Sequence, residues 1–97
     1  MDEVDEDPLL LAHADQALAL SRALEAAQAL NGGGERRAAK LVEAARRVFA
    51  GEPEVRVDYI AAVDWATLEP VELAGPGTLF AVAAYVGNTR LIDNCIL

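Results

Sequence analysis

A two-layer α+β fold, two N-terminal helices on a three-stranded, mostly antiparallel sheet, follows from a change of period partway along this chain of 97 residues. Up to Ala50 the apolar residues recur at three- and four-residue steps. From Val55 the period is two. Glycine and proline separate the segments at Asn31–Gly34, Gly51–Pro53, Gly75–Gly77 and Gly87-Asn88. Runs of helices followed by runs of strands select an α+β layer architecture.

Met1–Asp7 reads as an acidic lead expected to be disordered, and residues 8–97 read as one domain. Asp7-Pro8 can start a helix, with Asp as N-cap and Pro at the first helical position. From there to Leu30 the segment holds no glycine, and Ala17, Leu20, Leu24 and Ala27 form one apolar stripe. Leu9, Leu10 and Leu11 are apolar all round, so that turn is buried or seeks a partner. Asn31-Gly32-Gly33-Gly34 ends the helix and forms a hinge.

A second helix is predicted over Glu35–Ala50, with Ala38, Leu41, Val42, Ala45, Val48 and Phe49 on one face. Arg36, Arg37, Lys40, Glu43, Arg46 and Arg47 fall mostly opposite. That basic cluster is an anion-binding face or, more simply, a solvated surface balanced by acidic neighbours. Val55, Val57, Tyr59, Ala61 and Val63 then alternate with Arg56, Asp58, Ile60, Ala62 and Asp64, as in a half-buried strand. Thr67-Leu68-Glu69-Pro70 forms a turn. Leu79–Val86 is almost wholly apolar, which suits a central strand covered on both faces. Gly87-Asn88 makes a tight turn into a last strand over Thr89–Leu97.

The composition excludes whole classes of partner. A net charge of −8 opposes nucleic acid and anionic membrane surfaces, which both require Lys/Arg clusters. The apolar runs are far shorter than the ~20 residues that cross a bilayer, and the start of the chain is acidic, unlike a signal peptide. A single cysteine, Cys95, forms no internal disulfide. These features together point to the cytoplasm.

Individual polar residues give no constellation. His13 has no neighbouring Cys or Ser and reads as structural. Asp93 and Asn94 with Arg90 form either a polar site or a fold-fixing group. Asp58 beside Tyr59 reads as a strand-edge hydrogen-bonding residue, since no second carboxylate is placed to shift its pKa. Cys95 lacks a base that would make it reactive. Trp65, in a turn, is a partner anchor or packs over the sheet edge. No residue is therefore assigned a catalytic, cofactor-binding or metal-binding role.

Three stretches resemble one family. Gln16-Ala17-Leu18-Ala19-Leu20-Ser21-Arg22-Ala23-Leu24, then Val57-Asp58-Tyr59 with Asp64 and Thr67-Leu68-Glu69-Pro70-Val71, then Thr89-Arg90-Leu91-Ile92-Asp93-Asn94 are similar to the C-terminal domain of pantoate–β-alanine ligases. The resemblance implies an α+β layer with a three-stranded antiparallel sheet. It also implies a parent enzyme that joins pantoate to β-alanine with ATP and Mg²⁺, through a pantoyl adenylate.

The parent's nucleotide-binding half, with its His-containing phosphate motif, has no counterpart here. Gly32-Gly33-Gly34 follows a helix and reads as a linker, not a phosphate loop. The family's Met-Ser-Ser-Arg-Asn-type loop, which contacts ATP, would fall near Glu3–Asp7, where this chain has Glu3-Val4-Asp5-Glu6-Asp7. Carboxylates there repel a triphosphate. The resemblance thus implies a non-catalytic lid or accessory domain that binds no cofactor alone and serves a separate adenylating subunit. The alternatives are an oligomerisation or interaction module, possible as a homo-oligomer, or a fragment of a full ligase.

Overall fold

A computed structural model describes residues 14–97. The acidic lead, the Asp7-Pro8 helix start, Leu9–Leu11 and His13 lie outside the described residues. Two helices, α1 (Ala14–Gly32) and α2 (Ala38–Ala50), precede three strands, β1 (Val55–Asp64), β2 (Thr78–Val86) and β3 (Thr89–Ile96). The strands form one antiparallel sheet in the order β1-β2-β3, so each pairs with its neighbour in sequence. Both helices lie on one face of it.

α1 presents Ala19, Leu20, Ala23, Leu24 and Ala27 to the interior. Three of these are alanines, which let α2 approach closely. α2 answers with Ala38, Leu41, Ala45 and Phe49, buried as its periodicity predicts, and Val42 and Val48 pack at the margin. Phe80, Leu20, Leu41 and Val82 are the largest fully buried side chains, each contributing roughly 1.5–3 kcal/mol by its removal from water. Gly34 at φ 111° turns the chain out of α1 in a conformation that disfavours a side chain.

α2 begins three residues later than predicted. Glu35–Arg37 is extended, because Arg37 bridges Leu73, the Ala38 N–H donates to the Glu72 carbonyl and the Ala74 N–H to the Arg36 carbonyl. The Arg36 guanidinium donates from Nε to the Ala74 carbonyl at 2.7 Å. These bonds tie the β1–β2 connection to the start of α2, a long-range pairing that local periodicity does not report.

β1 departs from simple alternation. Val57 pairs with Ala84 and Tyr59 with Ala83, so Asp58 is an extra residue, a β-bulge. Up to the bulge the odd residues Val55 and Val57 face the helices. Beyond it the even residues Ile60 and Ala62 do, and both are buried. The expectation that Tyr59, Ala61 and Val63 share a face with Val55 and Val57 is thereby corrected. Asp64 closes β1 by capping the next turn, its Oδ1 accepting from the N–H groups of Ala66 and Thr67 at 2.8 and 3.0 Å.

β2 is central, as expected. Phe80, Val82, Ala84 and Val86 point to the helices. Its second face, predicted to be covered by another layer, has none among the described residues. Gly87, at φ 61°, and Asn88 join β2 to β3 across the Val86–Thr89 pair.

Candidate interaction face

The outward face of the sheet is apolar, which antiparallel sheets with one wet face rarely show. In register, β1 supplies Tyr59, Ala61 and Val63, β2 supplies Ala83, Ala81 and Leu79, and β3 supplies Ile92, Asn94 and Ile96. Ile92 and Ile96 are 55% and 50% exposed, and Tyr59 is 39% exposed. Ala83, flanked in register by Tyr59 and Ile92, is fully buried. The bulge produces this surface: without the phase change at Asp58, Tyr59 and Val63 would turn toward the helices.

One end of the face carries cations. Arg56, Tyr85 and Arg90 are in register across the three strands. The Arg56 guanidinium lies 5.1 Å from the Tyr85 ring centre, and that of Arg90 5.7 Å from the Tyr59 ring centre. Arg90 reaches from β3 past the central strand to β1, where Nη2 and Nε donate to Asp58 Oδ2 at 2.9 and 3.2 Å. The bond to Asp58 raises the guanidinium pKa above its ordinary value, outweighing partial desolvation. Both side chains remain more than a third exposed, so solvent screens the pair and it adds little to stability. Its clearer effect is to hold two rings and a bulge in one arrangement.

The predicted polar residues separate in space. Asp58 and Arg90 meet, but Asp93 lies on the helix side of the sheet and Asn94 on the outer side, joined only by the Asn94 N–H donating to Asp93 Oδ1 at 2.9 Å. Arg90, Asp93 and Asn94 therefore do not form one site. Cys95 is half-buried on the helix side, and desolvation, with the nearby Asp93 charge, pushes its thiol pKa up. Trp65 is 61% exposed, so it does not pack over the sheet edge. Leu68 and Leu73 in the same connection are similarly exposed.

Three cations of the basic surface, Arg37, Lys40 and Arg47, are compensated by carboxylates. Arg37 binds Glu35 at 3.0 Å, and Glu43 accepts from Arg47 at 3.3 Å and lies 3.8 Å from Lys40. These groups line a shallow groove of about 360 Å³ whose cations are already engaged by carboxylates. The side chain and backbone N–H of Arg37 hold Glu35 at a pKa of about 2. Among the described residues no group of three or more His, Cys, Asp or Glu could hold a metal ion, and no helix is long and apolar enough to cross a membrane.

The molecule is thus a two-layer α+β domain whose sheet is open on one side. Comparison with known proteins gives it a family: the sequence model described as pantoate-beta-alanine ligase matches residues 8–96, and the chain belongs to that family. It is 52% identical over 82 residues to a pantothenate synthetase of Koribacter versatilis, covering 84% of this chain and 28% of that one. A bifunctional pantoate ligase/cytidylate kinase of Gloeobacter violaceus is also 52% identical over 82 residues, with 16% of its length covered. The crystal structure of pantothenate synthetase from Thermus thermophilus superposes with a TM-score of 0.74 at 35% identity, over 79% of this chain and 28% of that one. The chain therefore spans less than a third of the relatives it matches.

Proposed function

We propose that this domain serves pantothenate formation as the lid-type C-terminal part of a pantoate–β-alanine ligase, acting against a nucleotide-binding half that activates the carboxylate. The observation that carries this reading is the 52% identity sustained over 84% of the chain but only 28% of a pantothenate synthetase. In this reading ATP and Mg²⁺ belong to the other half, where the pantoyl adenylate forms, and this domain closes the site and limits water. In this reading it supplies no reacting group: among the described residues the outward face of the sheet is largely apolar with two arginines, and Arg37, Lys40 and Arg47 are engaged by Glu35 and Glu43.

The test is complementation of activity in vitro. A nucleotide-binding half from a pantothenate synthetase is assayed for AMP and amide formation from ATP, pantoate and β-alanine, with and without this chain. Stimulation of at least about tenfold, equivalent to ~1.4 kcal/mol of transition-state stabilisation, is expected. Absence of stimulation at saturating, folded chain overturns the reading.

A further inference from the structure

We propose that the acidic lead of this chain, Asp2–Asp7, folds back over the Arg56–Tyr85–Arg90 end of the open sheet face as an intramolecular strap. Three observations carry it. The first is position. Gln16, in the first turn of α1, donates from Nε2 to Glu54 Oε1 at 2.7 Å, and Glu54 immediately precedes β1. α1 therefore begins at the end of the sheet where β1 starts, β2 finishes at Val86 and β3 starts at Thr89. Arg56, Tyr85 and Arg90 lie in register at that same end, on the outward face.

The second observation is reach. Asp7 stands seven residues before Ala14, where α1 begins, and a connection of that length spans at most about 25 Å. The helix layer is only about 10 Å from the sheet, so the lead can pass the end of the sheet and arrive on its outer side. Arg56 and Arg90 are two strand spacings apart, about 10 Å. Asp2–Asp7 extends up to about 20 Å, enough to bring carboxylates to both arginines.

The third observation is charge. Asp2, Glu3, Asp5, Glu6 and Asp7 place five carboxylates within six residues, a run that repels itself and gains from a cationic neighbour. Arg56 is exposed and has no carboxylate partner among the described residues. Arg90 gives Nε and Nη2 to Asp58, and its Nη1 has no acceptor among the described residues. The carboxylates nearest in sequence, Asp58 and Glu54, are already bound by Arg90 and Gln16. A separate acidic partner would meet the net −8 of the whole chain, whereas a tethered segment is present at a millimolar effective concentration. The strap closes this end of the face to such partners.

Paramagnetic broadening in the full chain tests this independently of any ligase activity. A nitroxide is attached at Val4→Cys in a Cys95→Ser background, with the lead either acidic or neutralised by Asp2→Asn/Glu3→Gln/Asp5→Asn/Glu6→Gln/Asp7→Asn. The neutral lead shows what the tether alone brings to this end. The acidic lead should broaden the Arg56, Tyr85 and Arg90 amides at least about twofold more, given the effective concentration of a short tether. Val63, Leu79 and Ile96, roughly 20 Å away along the strands, should not distinguish the two leads. Ionic strength near ~1 M, where the Debye length is about 3 Å, should remove the excess. Arg56→Glu should remove it as well, and reversing the lead with Glu3→Lys/Asp5→Lys/Glu6→Lys should restore it, because opposite charges meet again.

Equal broadening from the acidic and neutral leads overturns the proposal. So does an excess that survives high salt or ignores Arg56→Glu, or an Arg56→Glu loss that the reversed lead does not repair. An excess found only between a spin-labelled copy and a separate isotope-labelled copy would give the lead to another molecule and equally overturn it.

Discussion

Deletion of Asp58 is the sharpest probe of how β1 sorts its side chains. Val57 and Tyr59 pair with Ala84 and Ala83, which are consecutive on β2. Removing Asp58 therefore joins residues that are already opposite neighbouring partners, and a regular strand results with Val57 inward, Tyr59 outward and Ile60 inward, as now. The loss is the exposed, solvent-screened Arg90–Asp58 pair, together with the local twist of the bulge.

Deleting Ala61, also one residue, has a different consequence. With Ala62 kept against Phe80, the cheapest rearrangement straightens the bulge and exchanges Ile60 with Tyr59. Exposing Ile60 costs about 1.5–3 kcal/mol, and forcing the larger Tyr59 ring under the helices adds about 1–3 kcal/mol. Urea unfolding followed by circular dichroism should separate the two variants by at least about 2 kcal/mol. Equal losses, or a loss above about 3 kcal/mol on deleting Asp58, would refute the reasoning.

Other outcomes follow from the same geometry. Ala23→Leu, at a fully buried position between the helices, should lose about 1–3 kcal/mol by overpacking, measured as a shift in urea midpoint. Glu35 is held at about 2 by Arg37, below its ordinary 4.5, so its contribution to stability is complete above pH 4.5 and fades as pH falls from there towards 2. Glu35→Gln should flatten the stability slope in that window; an unchanged slope would show the pair is not formed in solution. Desolvation favours the thiol form of Cys95, and at neutral pH its alkylation in the native protein should be at least about tenfold slower than in urea, read by mass spectrometry.

The buried face of α2 and the order of the strands were legible because each rests on local pattern, whereas the start of α2 was not, being set by the pairing of Arg37 with Leu73. Leu41, Ala45 and Phe49 on α2 and the Gly87-Asn88 turn needed no long-range information. The phase change in β1 was not legible: Asp58 is an ordinary residue in an alternating run, and only its register against β2 makes it a bulge. The apolar sequence of β2 was read as two covered faces. The signal was real, because both faces are apolar, but the pattern of one strand does not say whether the cover belongs to the same chain. Trp65 was open between two readings, and its exposure decides against the sheet edge. The interaction face itself combines residues from three strands, and could have been found only by aligning Tyr59, Ala83 and Ile92 across the turns.

The meander order of the sheet bears on kinetics. Every strand pairs with the next along the chain, and the β2–β3 pairing closes across a loop of two residues, so little loop entropy is lost before pairing begins. Such low-separation contacts place the domain with mixed α/β proteins that refold faster than all-β barrels. A hairpin that zips first, then recruits β1 and the helices, lets this unit assemble without waiting for a distant segment.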